Sequence, residues 1–460
     1  MSFDFFSTPS SHEMKAAAQY AAHAADLSFQ IPDISAHRQL RSIQSAAVIG
    51  AGTMGGGIAM SLANIGIAVH LIDADKASLD RGMTKIQDNY AVSVKRGKLT
   101  LQQLQDRMAL ISPTLDWQEA NGADLFIEAV FEDLQLKKDL FIKLDAFAKQ
   151  GAILATNTSG LDVNAIGAVT KRPHDVVGAH FFSPAHVMRL LEVVRSDATS
   201  PDVIATLMDL GRRMGKTAVL SKVYPGFIGN AMFRHYTREA HFLIEDGALP
   251  HEVDEVLTRF GYAMGVLAVQ DMAGNDVGYQ TKKAMIGNRA TDRRWSDLTL
   301  TLTDMGRRGQ KDGKGWYRYA NGDRKPQRDP EFESWIVGES ARLGRERKHF
   351  TPEEILKRCL YGMVNEGARL LEAGIALRAS DIDTVCLTGY GFPKERGGPL
   401  YLADKIGLKN VLTDIERFHA DMGFWWTPAP LLKQLAQEGK SFVQWDAEHA
   451  FSLKNKTIGD

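Results

Sequence analysis

A glycine-rich turn between a predicted strand and a predicted helix constrains the fold of this chain more than any other feature. The apolar run Ala46–Ile49 leads into Gly50-Ala51-Gly52-Thr53-Met54-Gly55, and helical residues follow. A second apolar run, Ala68–Ile72, ends at Asp73. This order is typical of the βαβ unit that binds the pyrophosphate of a dinucleotide at a helix N-terminus.

The residues of the turn have separate physical roles. Gly50 allows the tight turn, Gly52 lets backbone amides approach a pyrophosphate, and Gly55 lets the helix and the strand pack closely. Asp73 would accept hydrogen bonds from both hydroxyls of the adenosine ribose and would repel a 2'-phosphate, which favours NAD over NADP. We expect cofactor contacts from Gly50, Gly52, Thr53, Met54, Gly55 and Asp73.

Short apolar runs alternate with helix-length segments up to about Val223, which indicates βαβ units and a mostly parallel sheet. The later runs are Leu125–Val130, Ile153–Ala155, Val176–Phe181, Leu190–Val194 and Ala218–Leu220. After Pro225 the apolar positions have helical spacing. The predicted fold is an α/β Rossmann-type domain followed by two duplicated, mainly α-helical domains.

The duplication is predicted from a series of identical or similar residues that occur in the same order in two segments of the chain. Glu239, Glu245 and Gly247 return 127 positions later, Val253-Asp254 returns as Ile382-Asp383, and Leu257-Thr258 and Gly261 return 130 positions later. Such order over about 25 residues indicates a repeat. A duplicated pair could supply internally the contact that a single-copy relative obtains by dimerising.

The domain boundaries follow from these patterns. An Ala-rich segment, Ala16–Ala25, predicts a helix before the first strand, and a charged, Pro-containing stretch, Asn321–His349, predicts an exposed connector. We therefore expect an N-terminal helix and linker (1–41), an NAD-binding domain (42–223), a first helical domain (224–320), a linker (321–350) and a second helical domain (351–460).

Composition excludes several classes of function. The 460 residues carry 55 basic and 56 acidic side chains, a balance that argues against nucleic acid as a partner. No apolar run approaches the roughly 18 residues of a membrane span. Cys359 and Cys386 form no CxxC pair, so we expect neither a disulfide framework nor a metal site, and a cytoplasmic location. The C-terminal Thr457–Asp460 matches no peroxisomal or ER address.

A long string from Gly178 to Val193, GAHFFSPAHVMRLLEV, resembles the signature of the 3-hydroxyacyl-CoA dehydrogenases. Its Ser-Pro-Ala-His variant is most similar to the dehydrogenase half of the peroxisomal-type bifunctional enzymes and their bacterial relatives. The similarity runs from about Ile43 to about Phe442. The enoyl-CoA hydratase half of those enzymes has no counterpart in the 41 residues before the predicted nucleotide fold, which are too few to build it.

Two residues of this string are candidates for proton transfer. His180 lies at the carboxyl end of an apolar strand, where open α/β sheets bind ligands, and imidazole can accept a proton near neutral pH. Glu192 stands 12 residues later in an apolar run, where a carboxylate needs a partner. We expect Glu192 to orient the His180 ring, and the resemblance implies that the two form the catalytic pair. His186 is interpreted as structural.

The resemblance implies further contacts. Ser159, which follows a strand, would donate a hydrogen bond to the substrate oxygen, and Asn230, at the junction of two predicted domains, would reach the same 3-oxygen. Ser183, where many relatives have Asn, can still hydrogen-bond. Cofactor contacts are expected from Asn157, Val130 and Ser183, and on the nicotinamide ribose side from Glu132 and Lys137. The position aligned with Asn230 in the second copy is Lys357, so the second copy is expected to be structural.

Substrate contacts are harder to predict. The basic group Lys95, Arg96 and Lys98 could meet the phosphates of coenzyme A, although a plain solvated face is the alternative interpretation. Tyr390 of the second repeat could reach the acyl-CoA.

The implied activity is an NAD-dependent (S)-3-hydroxyacyl-CoA dehydrogenase of the β-oxidation type, which needs no metal. The alternatives are a related NAD dehydrogenase of a free hydroxy or sugar acid, and a subunit acting mainly within a complex. The expected partners are an acyl-CoA substrate and, in a complex, a separate enoyl-CoA hydratase or thiolase, with no nucleic acid and no membrane. A monomer is expected by analogy with the bifunctional relatives.

Overall fold

The computed structural model describes residues 3–35, 37–320 and 323–456, which form two compact units. The sheet unit contains residues 21–230, 373–390 and the described residues from 446 onward. The helical unit contains the remainder: 3–20, 231–372 and 391–445. Asn321, where the predicted connector begins, and the C-terminal Thr457–Asp460 lie outside the described residues.

One eight-stranded sheet with the order β3-β2-β1-β4-β5-β6-β7-β8 organises the sheet unit. All neighbouring strands are parallel except β6 and β7, which are antiparallel. This confirms the predicted Rossmann-type, mostly parallel sheet. The strands are β1 Ser45–Ile49, β2 Ala68–Ile72, β3 Ile111–Thr114, β4 Leu125–Glu128, β5 Ile153–Thr156, β6 Val176–Phe181, β7 Leu190–Arg195 and β8 Thr217–Lys222.

Nineteen α-helices lie in the described residues, and the second half is mainly helical as predicted. The first seven are α1 Ser11–Leu27, α2 Thr53–Ala63, α3 Lys76–Lys95, α4 Leu101–Ala109, α5 Leu134–Phe147, α6 Val163–Gly167 and α7 Pro201–Arg213. The next six are α8 Gly229–Asp246, α9 Pro250–Phe260, α10 Val266–Ala273, α11 Tyr279–Ala284, α12 Leu298–Asp304 and α13 Pro330–Arg342. The last six are α14 Pro352–Glu372, α15 Ala379–Gly389, α16 Pro399–Ile406, α17 Leu408–Met422, α18 Pro430–Glu438 and α19 Phe442–Lys456. Within the described residues, none of these helices has the length and apolar character needed to cross a bilayer.

The sheet is buried on both faces, which explains why its strands are continuous apolar runs in the sequence. Successive side chains of a strand point to opposite faces. Ala46 and Val48 of β1 therefore join one core cluster, whereas Ala47 and Ile49 join the other. All four are less than 5% exposed.

Two features of the fold differ from the sequence expectations. Strand β3 was not predicted, because Ile111-Ser112-Pro113-Thr114 is not an apolar run; it is an edge strand of the sheet, where proline is tolerated. The expectation of an exposed connector at 321–350 is wrong, because α13 lies within it. Phe332 and Ile336 of α13 are 2% and 1% exposed, so this segment contributes to a core.

Helices α8 and α14, the predicted counterparts in the two repeats, meet inside the helical unit. A Cβ built on Gly362 of α14 would lie 3.6 Å from the carbonyl oxygen of His235 in α8, and these residues are 127 positions apart. Equivalent positions of two copies meet in this way near a pseudo-two-fold axis. The contact is consistent with the predicted duplication.

A buried lysine holds the connection between β6 and β7. Lys216 Nζ donates to the carbonyl oxygens of Ala185 (2.6 Å) and Met188 (2.8 Å), and burial lowers its pKa to about 8. The connection therefore has a fixed shape next to the strand that carries His180.

We expect Lys216 to make stability depend on pH. Its folded pKa of about 8 lies below the ordinary 10.5, so between these values the unfolded chain binds more protons and the unfolding free energy rises with pH. Relative to Lys216→Met, the wild type should gain about 1.4 kcal/mol per pH unit in this window. Urea unfolding of both proteins at several pH values measures the difference. A difference that stays constant with pH would contradict the prediction.

Candidate active site

The glycine turn has the geometry expected of a dinucleotide-binding loop. Gly50 has φ of 101°, and a Cβ built on it would lie 2.7 Å from the carbonyl oxygen of Ala129. A Cβ on Gly55 would lie 1.7 Å from the carbonyl oxygen of Gly50, so only glycine allows this helix–strand packing. A Cβ on Gly52 would meet no heavy atom within 4 Å. The turn is thus closed toward the sheet and open where a pyrophosphate would approach, and Thr53 and Met54 begin α2 directly behind it.

Asp73 follows β2 and is already tied to this turn. Its Oδ2 accepts a hydrogen bond from the Ala51 amide and its Oδ1 from the Ala74 amide, both at 2.7 Å. Each carboxylate oxygen keeps a second lone pair for a ribose hydroxyl. The predicted contact with the adenosine ribose is therefore compatible with the geometry.

His180 and Glu192 face each other across the antiparallel pair β6 and β7, as direct cross-strand partners. The Nδ1 atom of His180 lies 2.8 Å from Oε2 of Glu192, and the two residues are 5% and 0% exposed. The structure therefore brings the predicted pair together. Because Nδ1 faces the carboxylate, Nε2 is the nitrogen that can exchange a proton with a ligand.

The other oxygen of Glu192 is held by the start of α8. Its Oε1 accepts hydrogen bonds from the backbone amides of Ile228 (3.1 Å) and Gly229 (2.8 Å). A fully buried carboxylate is thus satisfied by three donors, two of them at the positive end of a helix. These two backbone partners could not be predicted from residue types.

Ser159 lies after β5, and its contacts within the chain are with Glu132. Glu132 Oε1 accepts hydrogen bonds from the Ser159 amide (2.7 Å), from Ser159 Oγ (3.0 Å) and from Thr158 Oγ1 (2.7 Å). Ser159 is exposed. Ser159, predicted to contact the substrate oxygen, and Glu132, predicted to contact the nicotinamide ribose, are therefore adjacent.

Asn230 bridges two parts of the sheet unit. Its Nδ2 donates to the carbonyl oxygen of Ser159 (3.0 Å), and its Oδ1 accepts from the Tyr390 hydroxyl (2.9 Å). The predicted neighbours Ser159 and Asn230 are therefore together, and Tyr390, predicted to approach the acyl-CoA, contacts the asparagine side chain.

A buried ion pair that the sequence analysis missed supports the same edge of the sheet. Lys137 Nζ lies 2.5 Å from Glu128 Oε1 and 3.4 Å from Glu132 Oε2, and both Lys137 and Glu128 are nearly inaccessible. Glu128 Oε1 also accepts from the Val130 amide, and Oε2 from Thr156 Oγ1. The sequence signal that could have predicted this ion pair is a glutamate, Glu128, at the end of an apolar strand. Lys137 was predicted at the cofactor, and the contacts it makes within the chain are with these two carboxylates.

The other predicted cofactor residues lie nearby in the fold. Asn157 Oδ1 accepts from the Phe181 amide at 2.8 Å, which joins the end of β5 to the end of β6. Ser183 is exposed just beyond β6. His186, interpreted as structural, is half-buried beside Lys216, and burial lowers its pKa.

The basic residues predicted to bind coenzyme A lie in a different segment of the chain, at the end of α3 and before α4. Lys95 ends α3, and Arg96 and Lys98 follow before α4; all three are exposed. Their role in binding stays a prediction.

Fold and site together define an α/β dehydrogenase class of protein, with a dinucleotide turn and a histidine–glutamate pair at the carboxyl edge of one sheet. Family models support this class. The model "3-hydroxyacyl-CoA dehydrogenase, NAD binding domain" matches residues 45–223, and the model of the C-terminal domain matches residues 226–319 and 355–444. The chain belongs to the 3-hydroxyacyl-CoA dehydrogenase family, and NAD is the cofactor of its N-terminal domain.

Curated relatives agree with this assignment. The peroxisomal bifunctional enzyme of Danio rerio is 41% identical over 90% of the chain and 59% of its own length. The human peroxisomal bifunctional enzyme is 40% identical over 87% of the chain and 57% of its own length. The chain thus spans less than two thirds of these relatives.

Solved structures give the same result for the fold. A 3-hydroxybutyryl-CoA dehydrogenase from Escherichia coli K12 has a TM-score of 0.74 at 27% identity and covers 87% of this chain and 99% of its own. The dehydrogenase part of the multifunctional enzyme 1 of C. elegans has a TM-score of 0.67 at 29% identity, covering 94% of this chain and 98% of its own.

Replacing Asp73 tests the predicted ribose contact. In Asp73→Asn we expect NADH to bind about tenfold more weakly, because one carboxylate oxygen becomes an NH2 group that cannot accept hydrogen bonds and the other loses its charge, and we expect the preference for NADH over NADPH to shrink. Asp75→Asn is a matched control, because Asp75 caps α3 two residues away through the Ser78 amide. Fluorescence titration of both cofactors measures the change. Equal loss in both variants would contradict a ribose role for Asp73.

Proposed function

We propose that the chain is an NAD-dependent (S)-3-hydroxyacyl-CoA dehydrogenase that interconverts 3-hydroxyacyl-CoA and 3-oxoacyl-CoA. The observation that carries this proposal is the His180–Glu192 pair, with both carboxylate oxygens of Glu192 fixed by donors. The family assignment supplies the class of substrate. The names of the relatives, which include peroxisomal fatty acid beta-oxidation multifunctional protein, favour a fatty acyl thioester.

His180 acts as the base in the direction of oxidation. Its Nδ1 proton is committed to Glu192, so Nε2 presents the lone pair that takes the proton from the 3-hydroxyl. NAD, held by the turn Gly50–Gly55 and Asp73, would supply the acceptor for the hydride of C3. The C3–O bond becomes a carbonyl, the proton stays on Nε2, and Glu192 stabilises the resulting imidazolium. In reduction His180 returns this proton to the 3-oxygen.

Ser159 and Asn230 hold the 3-oxygen. The backbone of Ser159 is bonded to Glu132 and to Asn230, so both side chains belong to one connected group. The Asn230 NH2 group keeps one hydrogen for the 3-oxygen, whereas Ser159 Oγ, which donates its single proton to Glu132 Oε1, turns that proton to the 3-oxygen when substrate binds. A neutral amide and a hydroxyl hold this oxygen without adding a competing charge next to His180.

The second helical copy lacks the amide of the first. Lys357, aligned with Asn230, pairs with Glu353 Oε1 (2.8 Å) and Asp414 Oδ2 (2.9 Å). The five-part domain division stays a prediction, and the two segments matched by the C-terminal family model support its two helical copies. The approach of Gly362 in α14 to His235 in α8 supports the proposal that the two copies pair internally in a monomer.

The remaining partners are proposed at a coarser level. Lys95, Arg96 and Lys98 form an exposed basic group suited to the phosphates of coenzyme A. Association with a separate enoyl-CoA hydratase or thiolase is proposed because curated relatives are bifunctional. A cytoplasmic location stays a prediction, and the relatives are named as peroxisomal enzymes.

Turnover of a thioester tests the proposal. NADH oxidation is followed with acetoacetyl-CoA and, in parallel, with free acetoacetate. We expect turnover of the thioester and at most slow turnover of the free acid. Turnover of the free acid alone would favour the hydroxy-acid dehydrogenase, and no turnover by a folded, NADH-binding protein would favour a subunit that acts within a complex.

Variants of the buried pair test the mechanism. In His180→Ala and Glu192→Gln we expect kcat to fall at least about 100-fold, because the base or its orienting carboxylate is lost. NADH affinity should stay within a factor of about three. His174→Ala is the matched control, because His174 Nε2 lies 3.7 Å from Asp175 Oδ1 at an exposed position. A kcat that survives in His180→Ala would exclude this residue as the base.

A further inference from the structure

Tyr390 makes a contact that the proposed mechanism does not yet use. Its hydroxyl donates to Asn230 Oδ1 at 2.9 Å, while Asn230 Nδ2 donates to the Ser159 carbonyl oxygen at 3.0 Å. Both ends of the Asn230 amide are therefore engaged by groups of this chain.

These two contacts define which way the amide points. A carbonyl oxygen only accepts hydrogen bonds, so the Ser159 carbonyl requires the NH2 end of Asn230. The Tyr390 hydroxyl then meets the oxygen end and donates to it. A rotated amide would place two acceptors, Asn230 Oδ1 and the Ser159 carbonyl oxygen, against each other.

The phenol ring itself is held in place. A Cβ built on Gly229 would lie 2.6 Å from Tyr390 Cε2, so the ring lies directly against the glycine that begins α8. The ring also meets Phe182 edge to face, with centroids 5.5 Å apart. Phe182 follows the strand that carries His180, and the Gly229 amide donates to Glu192, so the ring contacts the neighbours of both members of the catalytic pair.

The helix before Tyr390 gives the ring a rigid base. Gly389 ends α15, and a Cβ built on it would lie 2.4 Å from Leu190 Cδ2 at the start of β7. The Tyr390 amide donates to the Cys386 carbonyl oxygen at 3.2 Å. The hydroxyl therefore approaches Asn230 from a buried helix packed on the sheet.

We infer that Tyr390 is a positioning residue of the dehydrogenase site, acting through Asn230. It holds the oxygen end of the amide in the orientation that the Ser159 carbonyl selects, in which one Nδ2 hydrogen bonds that carbonyl oxygen and the other is presented to the 3-oxygen of the substrate. This inference rests on the proposed function. It gives Tyr390 of the second helical copy a part in the site through Asn230, whereas the sequence analysis predicted a contact of Tyr390 with the acyl-CoA.

The comparison of the two copies is consistent with this role. Gly261 and Gly391 are 130 positions apart, and the same offset aligns Phe260 with Tyr390. Phe260 of the first copy lacks the hydroxyl of Tyr390. Lys357 of the second copy lacks the amide of Asn230. The first copy thus supplies the amide and the second supplies the hydroxyl that orients it.

A double-mutant cycle tests the inference. Wild type, Tyr390→Phe, Asn230→Ala and the double variant are compared in acetoacetyl-CoA reduction by NADH. We expect Tyr390→Phe to lower kcat about three- to tenfold, the effect of one lost hydrogen bond, with the KM for NADH unchanged. In the Asn230→Ala background the same change should alter kcat less than about twofold, because the group through which Tyr390 acts is absent.

The Asn230→Asp variant provides a second test of the positioning role of Tyr390. Its carboxylate accepts from Tyr390 but cannot donate to the 3-oxygen, so activity should fall as far as in Asn230→Ala, and adding Tyr390→Phe should change it little.

Tyr90→Phe is the matched control for a lost tyrosine–asparagine hydrogen bond. The Tyr90 hydroxyl donates to Asn64 Oδ1 at 3.0 Å, and Tyr90 is 2% exposed. Thermal unfolding of both Tyr→Phe variants compares their stabilities, and we expect kcat to fall in Tyr390→Phe alone. An undiminished kcat in Tyr390→Phe, or an equal loss in the presence and absence of the Asn230 side chain, would overturn the inference while leaving the proposed function intact. Absence of thioester turnover by folded wild type would overturn both.

Discussion

The antiparallel pairing of β6 with β7 is the constraint on which the site depends. In a sheet whose other neighbouring strands are parallel, this reversal places His180 directly opposite Glu192, although the residues are 12 positions apart. The resulting buried carboxylate then requires further donors, and the backbone amides of Ile228 and Gly229, at the N-terminus of α8, provide them. The same carboxylate therefore orients the imidazole and anchors the helix that begins next to Asn230.

A second set of carboxylates organises the neighbouring strand ends. Glu128 is bonded to Lys137, to the Val130 amide and to Thr156, and Glu132 to Thr158 and Ser159. These bonds link the loops after β4 and β5, from which cofactor contacts are expected. These carboxylates are thus paired within the chain, and their hydrogen bonds fix the positions of the two loops. Asn230, which is proposed to meet the 3-oxygen, is likewise held by hydrogen bonds to Ser159 and Tyr390.

Much of this could be predicted because the signals are local. The bounds of β2 and β6 follow from apolar runs, and Gly50 and Gly55 occupy positions where the structure leaves no room for a Cβ. Strand β3 escaped prediction because its stability comes from pairing with β2 rather than from its own composition. Helix α13 was missed because its charged first turn resembled a connector, while Phe332 and Ile336 are buried, Phe332 in contact with Trp316 and Arg307.

The sequence by itself determined the dinucleotide turn, the mostly parallel sheet and the identity of the histidine and glutamate, because each depends on residue types at short, regular spacing. Only the tertiary structure decided which donors satisfy Glu192, that Lys137 is engaged by Glu128 and Glu132, and that Tyr390 reaches Asn230 across 160 positions of chain. Hydrogen bonds require atoms within about 3 Å. Such proximity between distant segments arises only when the sheet and the helices packed on it bring them together.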